Sequence, residues 1–388
     1  MKKLEKSVPV IRFKGFSEAW EQRKLGEVTE SFDGKRVPID SDLRISGEYP
    51  YYGATGIIDY VDDYIFDGEY VLLAEDGANI TMRNYPVAYL TQGKFWLNNH
   101  AHIMRMIDGS NYFLVQVLEK IDYMKYNTGT AQPKLNSKVV KNIEFKLPHV
   151  EEQRKIGTFF KQLDDTIALH QRKLEVLKLM KKGFLQQMVT KSGENIPKIR
   201  FDDFDDIWEQ RILGEFLKES KIKGSNGSLA KKLTVKLWRK GVVPKEEIYT
   251  GSSATQYYIR KTGQFMYGKL DFLNQAFGIV PLELDGYEST LDSPAFDIEE
   301  SLNETFLLEY VSLARFYKYQ GNIANGSRRA KRIHTDTFFE MPIPLPNSNE
   351  QQKIGTFSRQ IDDLIALQQN KLEKLSSLKR FYLKNMFI

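Results

Sequence analysis

Three short patterns in this 388-residue chain carry residue types that do chemistry in other settings. Gly263-Gln264-Phe265-Met266-Tyr267-Gly268-Lys269 has the spacing of a phosphate-cradling loop. Leu270, however, stands where magnesium binding needs Ser or Thr, and the bulky Phe265, Met266 and Tyr267 suit a strand better. Glu144-Phe145-Lys146 offers the Glu-x-Lys end of a nuclease motif, but it leads straight into Leu147-Pro148, and such triplets recur by chance. His100-Ala101-His102 puts two imidazoles on one face of a strand; without a third ligand nearby, core packing or DNA contact outweighs a metal. The chain has no cysteine, which removes disulfides, thiolate catalysis, zinc fingers and iron–sulfur ligation together. No Asn-Pro-Pro-Tyr or Asp-Pro-Pro-Tyr tetrad occurs, nor a glycine-rich loop suited to S-adenosylmethionine. The chain is expected to catalyse nothing alone.

Charge is more informative than catalytic motifs. At 28% charged and 41% hydrophobic residues the composition is that of a globular protein, and a net charge of +5 is mild. Its distribution is not mild. Lys221 to Lys245 holds eight cations and no acid, Tyr310 to Thr335 six and none, and Tyr123 to Ile143 four and none. Basic runs interleaved with Tyr, Asn, Gln and Ser suit phosphate neutralisation with base-edge hydrogen bonding. Ile45 to Met82 is the opposite, with eight carboxylates and no Lys or Arg, and reads as a solvent or partner face.

The elements that must position these runs are duplicated. Ile11 to Glu27 recurs as Ile199 to Glu215 with 11 of 17 positions identical, and Glu152 to Glu175 recurs as Glu350 to Glu373 with 17 of 24 identical. Between the paired blocks the halves look unrelated. The longer block predicts a helix preceded by Pro148 or Pro346, with acidic residues in its first turn where the helix dipole favours them. Its apolar residues follow a heptad rhythm: Ile156, Leu163, Ile167, Leu174 and Leu177 in one copy, Ile354, Ile361, Ile365, Leu372 and Leu375 in the other. His170 and Gln368 occupy equivalent polar positions in the same stripe. A heptad sustained over four repeats predicts an antiparallel coiled-coil seam. Glu151 to Val189 would span roughly 58 Å, a strut rather than a domain core.

The variable regions predict strands at Tyr70–Leu73, Val87–Leu90, Gln256–Ile259 and Gly278–Val280, and helices at Asn111–Lys120 and Leu302–Tyr319. The expected fold class is α+β: two mixed α/β recognition domains, 1–150 and 201–346, joined by helices at 151–190 and 347–388, with a linker at 191–200. Met1 to Phe16 has no apolar core of a signal peptide, and no window is apolar enough to span a membrane. Both points fit a cytoplasmic protein.

The repeated Trp-Glu-Gln-Arg-x-Leu-Gly-Glu opening and the repeated Glu-Gln-x-Lys-Ile-Gly helix resemble the specificity subunit of type I restriction–modification enzymes. Local stretches agree: Tyr51-Tyr52-Gly53-Ala54-Thr55-Gly56-Ile57-Ile58, Gly129-Thr130-Ala131-Gln132-Pro133-Lys134-Leu135 and Lys269-Leu270-Asp271-Phe272-Leu273-Asn274. The resemblance covers essentially the whole chain. It implies that each variable region reads one half of a split double-stranded DNA site. It also implies that the helices hold the domains apart and dock two modification (methyltransferase) subunits, which restriction (translocase/nuclease) subunits join. S-adenosylmethionine, ATP and Mg²⁺ would serve those partners and not this chain. The expected DNA contacts are Lys125, Thr130, Gln132, Lys134 and Lys138 in the first domain. In the second they are Lys231, Lys232, Arg239, Lys240, Lys269, Arg328, Arg329, Lys331 and Arg332. The second half lacks a clear copy of Gly129-Thr130-Ala131-Gln132; its nearest counterpart is Asn325-Gly326-Ser327-Arg328-Arg329. A stand-alone nuclease and a protein-binding repeat adaptor are the alternatives.

Overall fold

A computed structural model describes residues 8–191, 193–246, 252–323 and 332–388. The chain divides into two compact units, one of Met1–Arg172 with Asn370–Ile388 and the other Lys173–Gln369. Both boundaries fall inside a long helix, Val150–Met188 or Ser348–Asn385. This division differs from one drawn along the sequence at 150, 190, 200 and 346, because the far ends of the helices carry core side chains. Residues 191–200 are also more than a tether: the Ile199 amide donates to Gln187 O at 3.1 Å and that of Trp208 to Asn195 O at 2.9 Å.

In the first unit a four-stranded sheet runs in the order Thr29–Ser31, Ala101–Met106, Tyr70–Ala74, Ala88–Thr91, all antiparallel. Tyr70–Ala74 is buried throughout, as a continuous apolar run in a central strand should be. A second sheet orders Gly56–Val61, Ser46–Gly53, Lys94–Leu97 and Phe66–Asp67. The helix Asn111–Lys120, N-capped by Ser110, packs against the first sheet. In the second unit the main sheet runs Leu217–Ser220, Ala295–Ile298, Phe265–Tyr267, Phe277–Ile279. The strand order matches the first unit, although the two variable regions share no evident sequence. The expected helix at Leu302–Tyr319 is two helices, Glu304–Val311 and Ala314–Ile323. The Ser312 hydroxyl bonds back to Leu308 O at 2.6 Å beside the break, a bond that competes with helix propagation.

Several repeated residues do the same task in both units. The opening segment forms a two-stranded ladder with the strand before the long helix: Glu21–Lys24 with Glu144–Leu147, and Glu209–Ile212 with Pro342–Leu345. Arg12 makes a bidentate pair with Glu152 at 2.7 Å, and Arg200 does so with Glu350 at 2.8 Å. Both carboxylates are fully buried in the first turn of their helices. The following glutamine amide donates to the carbonyl of the preceding proline, Gln153 to Pro148 and Gln351 to Pro346, at 2.9 Å. The lysine lies over an aromatic ring: Lys155 is 4.9 Å from the Phe16 centroid and Lys353 5.2 Å from that of Phe204. Ile156 and Ile354 enter the cores. The glycine is there for close approach, since a Cβ on Gly157 would overlap Ser110 Oγ and one on Gly355 would lie 2.8 Å from Asn303 Oδ1.

Within each unit the two long helices run antiparallel. In the first, Phe159 meets Tyr382 at 4.9 Å between centroids and Lys379 pairs with Asp164 at 2.6 Å. In the second, Phe184 meets Phe357 at 5.7 Å and Lys181 pairs with Asp362 at 2.6 Å. Met386 and Phe387 complete the first core, where Phe387 stacks on Phe113 at 5.4 Å; Leu185, Met188 and Val189 complete the second. Ile156, Leu163, Ile354 and Ile361 of the heptad stripe are buried, whereas Ile167, His170, Leu174, Leu177, Ile365, Gln368, Leu372 and Leu375 are half-buried. The first positions of the stripe, Ile156 and Ile354, therefore belong to domain cores, and the later ones, from Ile167 and Ile365 on, lie half-buried along the antiparallel helices.

Replacing Gly157 by Ala tests the close approach. In an exposed helix this change would stabilise by about 0.5–1 kcal/mol. Here overpacking against the Ser110 cap should outweigh that gain and lower stability by about 1–2 kcal/mol in denaturant or thermal unfolding. Adding Ser110→Gly, which removes the hydroxyl, should restore part of the loss.

Candidate nucleic-acid interface

In the first unit the loop from Asn127 to Leu135 is a closed hairpin docked on a strand end. Asn127 Oδ1 accepts from the amides of Gly129 and Lys134, both at 2.9 Å, and the Thr128 amide donates to Lys134 O at 2.8 Å. A Cβ on Gly129 would run into Gln132 O, so only glycine fits this tight turn. The base of the hairpin is pinned by the Leu135 amide to Glu75 O at 2.7 Å and the Gly77 amide to Pro133 O at 3.0 Å. Buried His102 bridges Leu135 O and Asp33 Oδ2, each at 2.7 Å. Burial would raise the Asp33 carboxyl, but the His102 hydrogen bond and charge, the Ile103 amide and Arg36 hold it below the usual range.

This scaffold leaves Thr130, Ala131, Gln132 and Lys134 exposed at the tip. Lys138 is exposed on the helix Ser137–Lys141, and Lys125 is exposed with Asp122 at 3.8 Å. Of the acidic stretch, Glu48, Asp62, Asp63, Asp67 and Glu69 are exposed, whereas Glu75 and Asp76 lie beside the hairpin. Glu75 pairs with Arg36 at 2.6 Å and approaches Lys134 Nζ at 3.5 Å, while Asp76 holds exposed His100 at 2.9 Å. Carboxylates thus position the hairpin and its cation from beneath. The two imidazoles have different partners and different exposure, and among the described residues no cluster of three His, Asp or Glu is suited to a metal.

The second unit sorts its basic residues into surface and interior. Lys231 and Lys240 are exposed, and Lys269 is half-buried, its amide bonded to Asp292 O at 2.9 Å. Arg332 is exposed and pairs with Asp292 at 3.0 Å. Arg328, Arg329 and Lys331 lie outside the described residues. Two expected contacts require correction. Lys232 is buried, with its ammonium 5.4 Å from the Tyr257 centroid. Arg239 turns inward and grips Glu309 with both terminal nitrogens, at 2.6 and 2.7 Å. Glu309 also accepts from Lys181 Nζ at 3.0 Å and Ser358 Oγ at 2.6 Å, so its buried charge is fully partnered. Desolvation pushes the Glu309 pKa up, yet Arg239, Lys181 and Ser358 outweigh it and bring the value down to about 2.

Comparison with known proteins follows the same duplicated frame. Residues 17–179 and 295–377 match the family described as the type I restriction modification DNA specificity domain, well over half of the sequence. The chain belongs to this family. A putative type I restriction enzyme specificity subunit of Haemophilus influenzae is 37% identical over 150 residues, which is 38% of each chain. The MjaVIII specificity subunit of Methanocaldococcus jannaschii is 23% identical over 393 aligned positions, covering 94% of this chain and 91% of that one. Among solved structures, the S subunit of a type I restriction–modification system from M. genitalium superimposes with a TM-score of 0.69 at 12% identity, covering 98% of this chain and 99% of the other. A chain from structural work on assembly of the type I R-M system gives 0.51 at 16% identity, covering 95% and 97%.

The frame residues of this specificity chain were not singled out as functional by their chemistry. Arg12, Arg200, Glu152 and Glu350 lie within the repeated blocks, and their identity in both copies was the available signal. Glu309 gave none, because its partners lie 49 to 128 positions away. A depressed carboxyl pKa contributes stability that is present above its ordinary value of 4.5 and lost as pH falls through about 2. Glu309→Gln should therefore cost about 3 kcal/mol at neutral pH by leaving the Arg239 guanidinium without its carboxylate, while Lys181 keeps Asp362. It should also shrink the acid-induced loss of stability across that window, measured by denaturant unfolding at a series of pH values.

Proposed function

We propose that this chain is the sequence-reading, non-catalytic subunit of a type I restriction–modification complex, binding a bipartite, asymmetric double-stranded DNA site with one half-site per recognition unit. The observation that carries the reading is the family match together with a rigid hairpin that lifts Thr130, Gln132 and Lys134 from a pinned base. Short polar side chains and a cation on a fixed turn suit close approach to phosphate, and a glutamine amide suits bidentate contact with adenine. Lys125 and Lys138 extend that surface. Lys231, Lys240, Lys269 and Arg332 form its counterpart in the second unit, with Arg328, Arg329 and Lys331 assigned to it from the sequence. The long helices would receive two methyltransferase subunits, which restriction subunits join. S-adenosylmethionine, ATP and Mg²⁺ act on those partners. No helix among the described residues is long and apolar enough to cross a membrane, which is consistent with work on cytoplasmic DNA.

The shared frame and unlike variable regions favour two different half-sites over a palindrome. Methylation mapping in a host expressing this chain with its methyltransferase should return one split motif with unlike halves. A continuous or palindromic motif would refute the assignment. At the level of residues, Lys134→Ala and Arg332→Ala should each flatten the log–log salt dependence of DNA binding by about one unit. Gln132→Ala should instead relax discrimination at one base pair, by about 1–3 kcal/mol, with the salt slope unchanged.

A further inference from the structure

The hairpin Leu233–Val235/Val242–Pro244 of the second unit carries a turn whose geometry is unusual. Trp238 and Arg239 are both left-handed, at φ 59° and 56°, a conformation that L residues with large side chains avoid. Their amides donate to Asn274 O at 2.8 Å and Gln275 O at 3.0 Å, and Gln275 is itself left-handed at φ 52°. Arg239 is locked inward on Glu309. The turn is thus held by two backbone bonds and a buried ion pair, in a shape that it would not adopt unassisted.

The consequence of that shape is an exposed indole. Trp238 is 57% exposed and makes no ring contact among the described residues. Trp20 and Trp208 are buried, and Trp96 is half-buried with its ring N–H bonded to Val37 O. Lys236 and Lys240, two positions to either side, are exposed, and no carboxylate occurs from Lys221 to Lys245. Between Lys236 and Lys240 the other exposed large hydrophobic is Leu237, at 37%, which is little apolar surface for docking a protein helix. A single planar aromatic between two cations matches a nucleobase flanked by phosphates.

We propose that Trp238 is a wedge that stacks on a base of the bound duplex at a partly opened step, with Lys236 and Lys240 on the adjoining phosphates. This rests on the DNA-binding reading above and adds to it a residue that contacts base faces rather than edges. The strain and the Arg239–Glu309 anchor keep the ring presented before DNA arrives, so little ordering remains for the binding step.

Tryptophan emission of the full chain, titrated with a mixed-sequence DNA duplex at low salt, is the test. The wild type should be quenched on binding, and Trp238→Phe should remove most of that quench because Trp20 and Trp208 are buried and Trp96 is half-buried. Trp238→Ala should weaken binding about tenfold while leaving the salt slope unchanged. Lys240→Ala should keep the quench and flatten the slope. Persistence of the quench in Trp238→Phe, or wild-type affinity in Trp238→Ala, would overturn the proposal. Quenching of Trp238 by a methyltransferase subunit without DNA, and not by DNA, would overturn it in favour of a protein contact. Failure of the wild type to bind any duplex would overturn the DNA-binding reading itself, together with the wedge.

Discussion

A buried carboxylate at the start of each long helix, matched by one arginine fork, is the interaction on which the architecture depends. Glu152 and Glu350 are shielded from water, so an unpaired charge there would be costly. Arg12 and Arg200 neutralise them with two parallel hydrogen bonds, a geometry that fixes direction as well as distance. The pair ties the opening segment to the helix. The opening segment forms the ladder, and the ladder's second strand feeds through proline into that same helix. Ladder, proline turn and helix are thus closed into one rigid frame around the variable region. The helix dipole adds to the preference for acid at this point.

A frame of that kind leaves the region between its ends free to vary. The two main sheets have the same strand order but unlike sequences. Strand order depends on where apolar runs and turns fall, and that pattern survives replacement of one β-forming residue by another. Surface loops on the sheets carry the side chains available to a ligand. The first unit supports its loop with Asn127, His102 and Glu75. The second relies on the Glu309 cluster to hold Trp238 and Arg239 in their unusual turn.

Much of this was legible in the residues. The duplication, both long helices, the strand around Tyr70–Leu73, the strand Gln256–Ile259 and the helix Asn111–Lys120 follow from repetition, periodicity and capping, all of which are local signals. The strand character of Phe265–Tyr267 followed from side-chain bulk. What escaped was direction. A run such as Lys231-Lys232 does not say which lysine faces in, and Arg239 cannot be assigned without its partner in Glu309. The break at Ser312 escaped as well, because apolar spacing continues across it. The first positions of the heptad stripe, Ile156 and Ile354, proved to be domain core, since helix packing on a domain and helix packing on a helix use the same periodicity.

The tails of the long helices have a consequence for the chain's history. Phe387 and Met386 complete a core made chiefly of residues 20 to 160, and Met188 and Val189 complete one made of residues 208 to 354. Each half of the sequence therefore ends in a plug that fits the other half's socket. Because the plugs are copies of one another, a single half would meet its need from a second molecule of itself. The present chain reads as a homodimer whose two subunits have been written into one reading frame, after which the sockets stayed alike and the surfaces between them diverged.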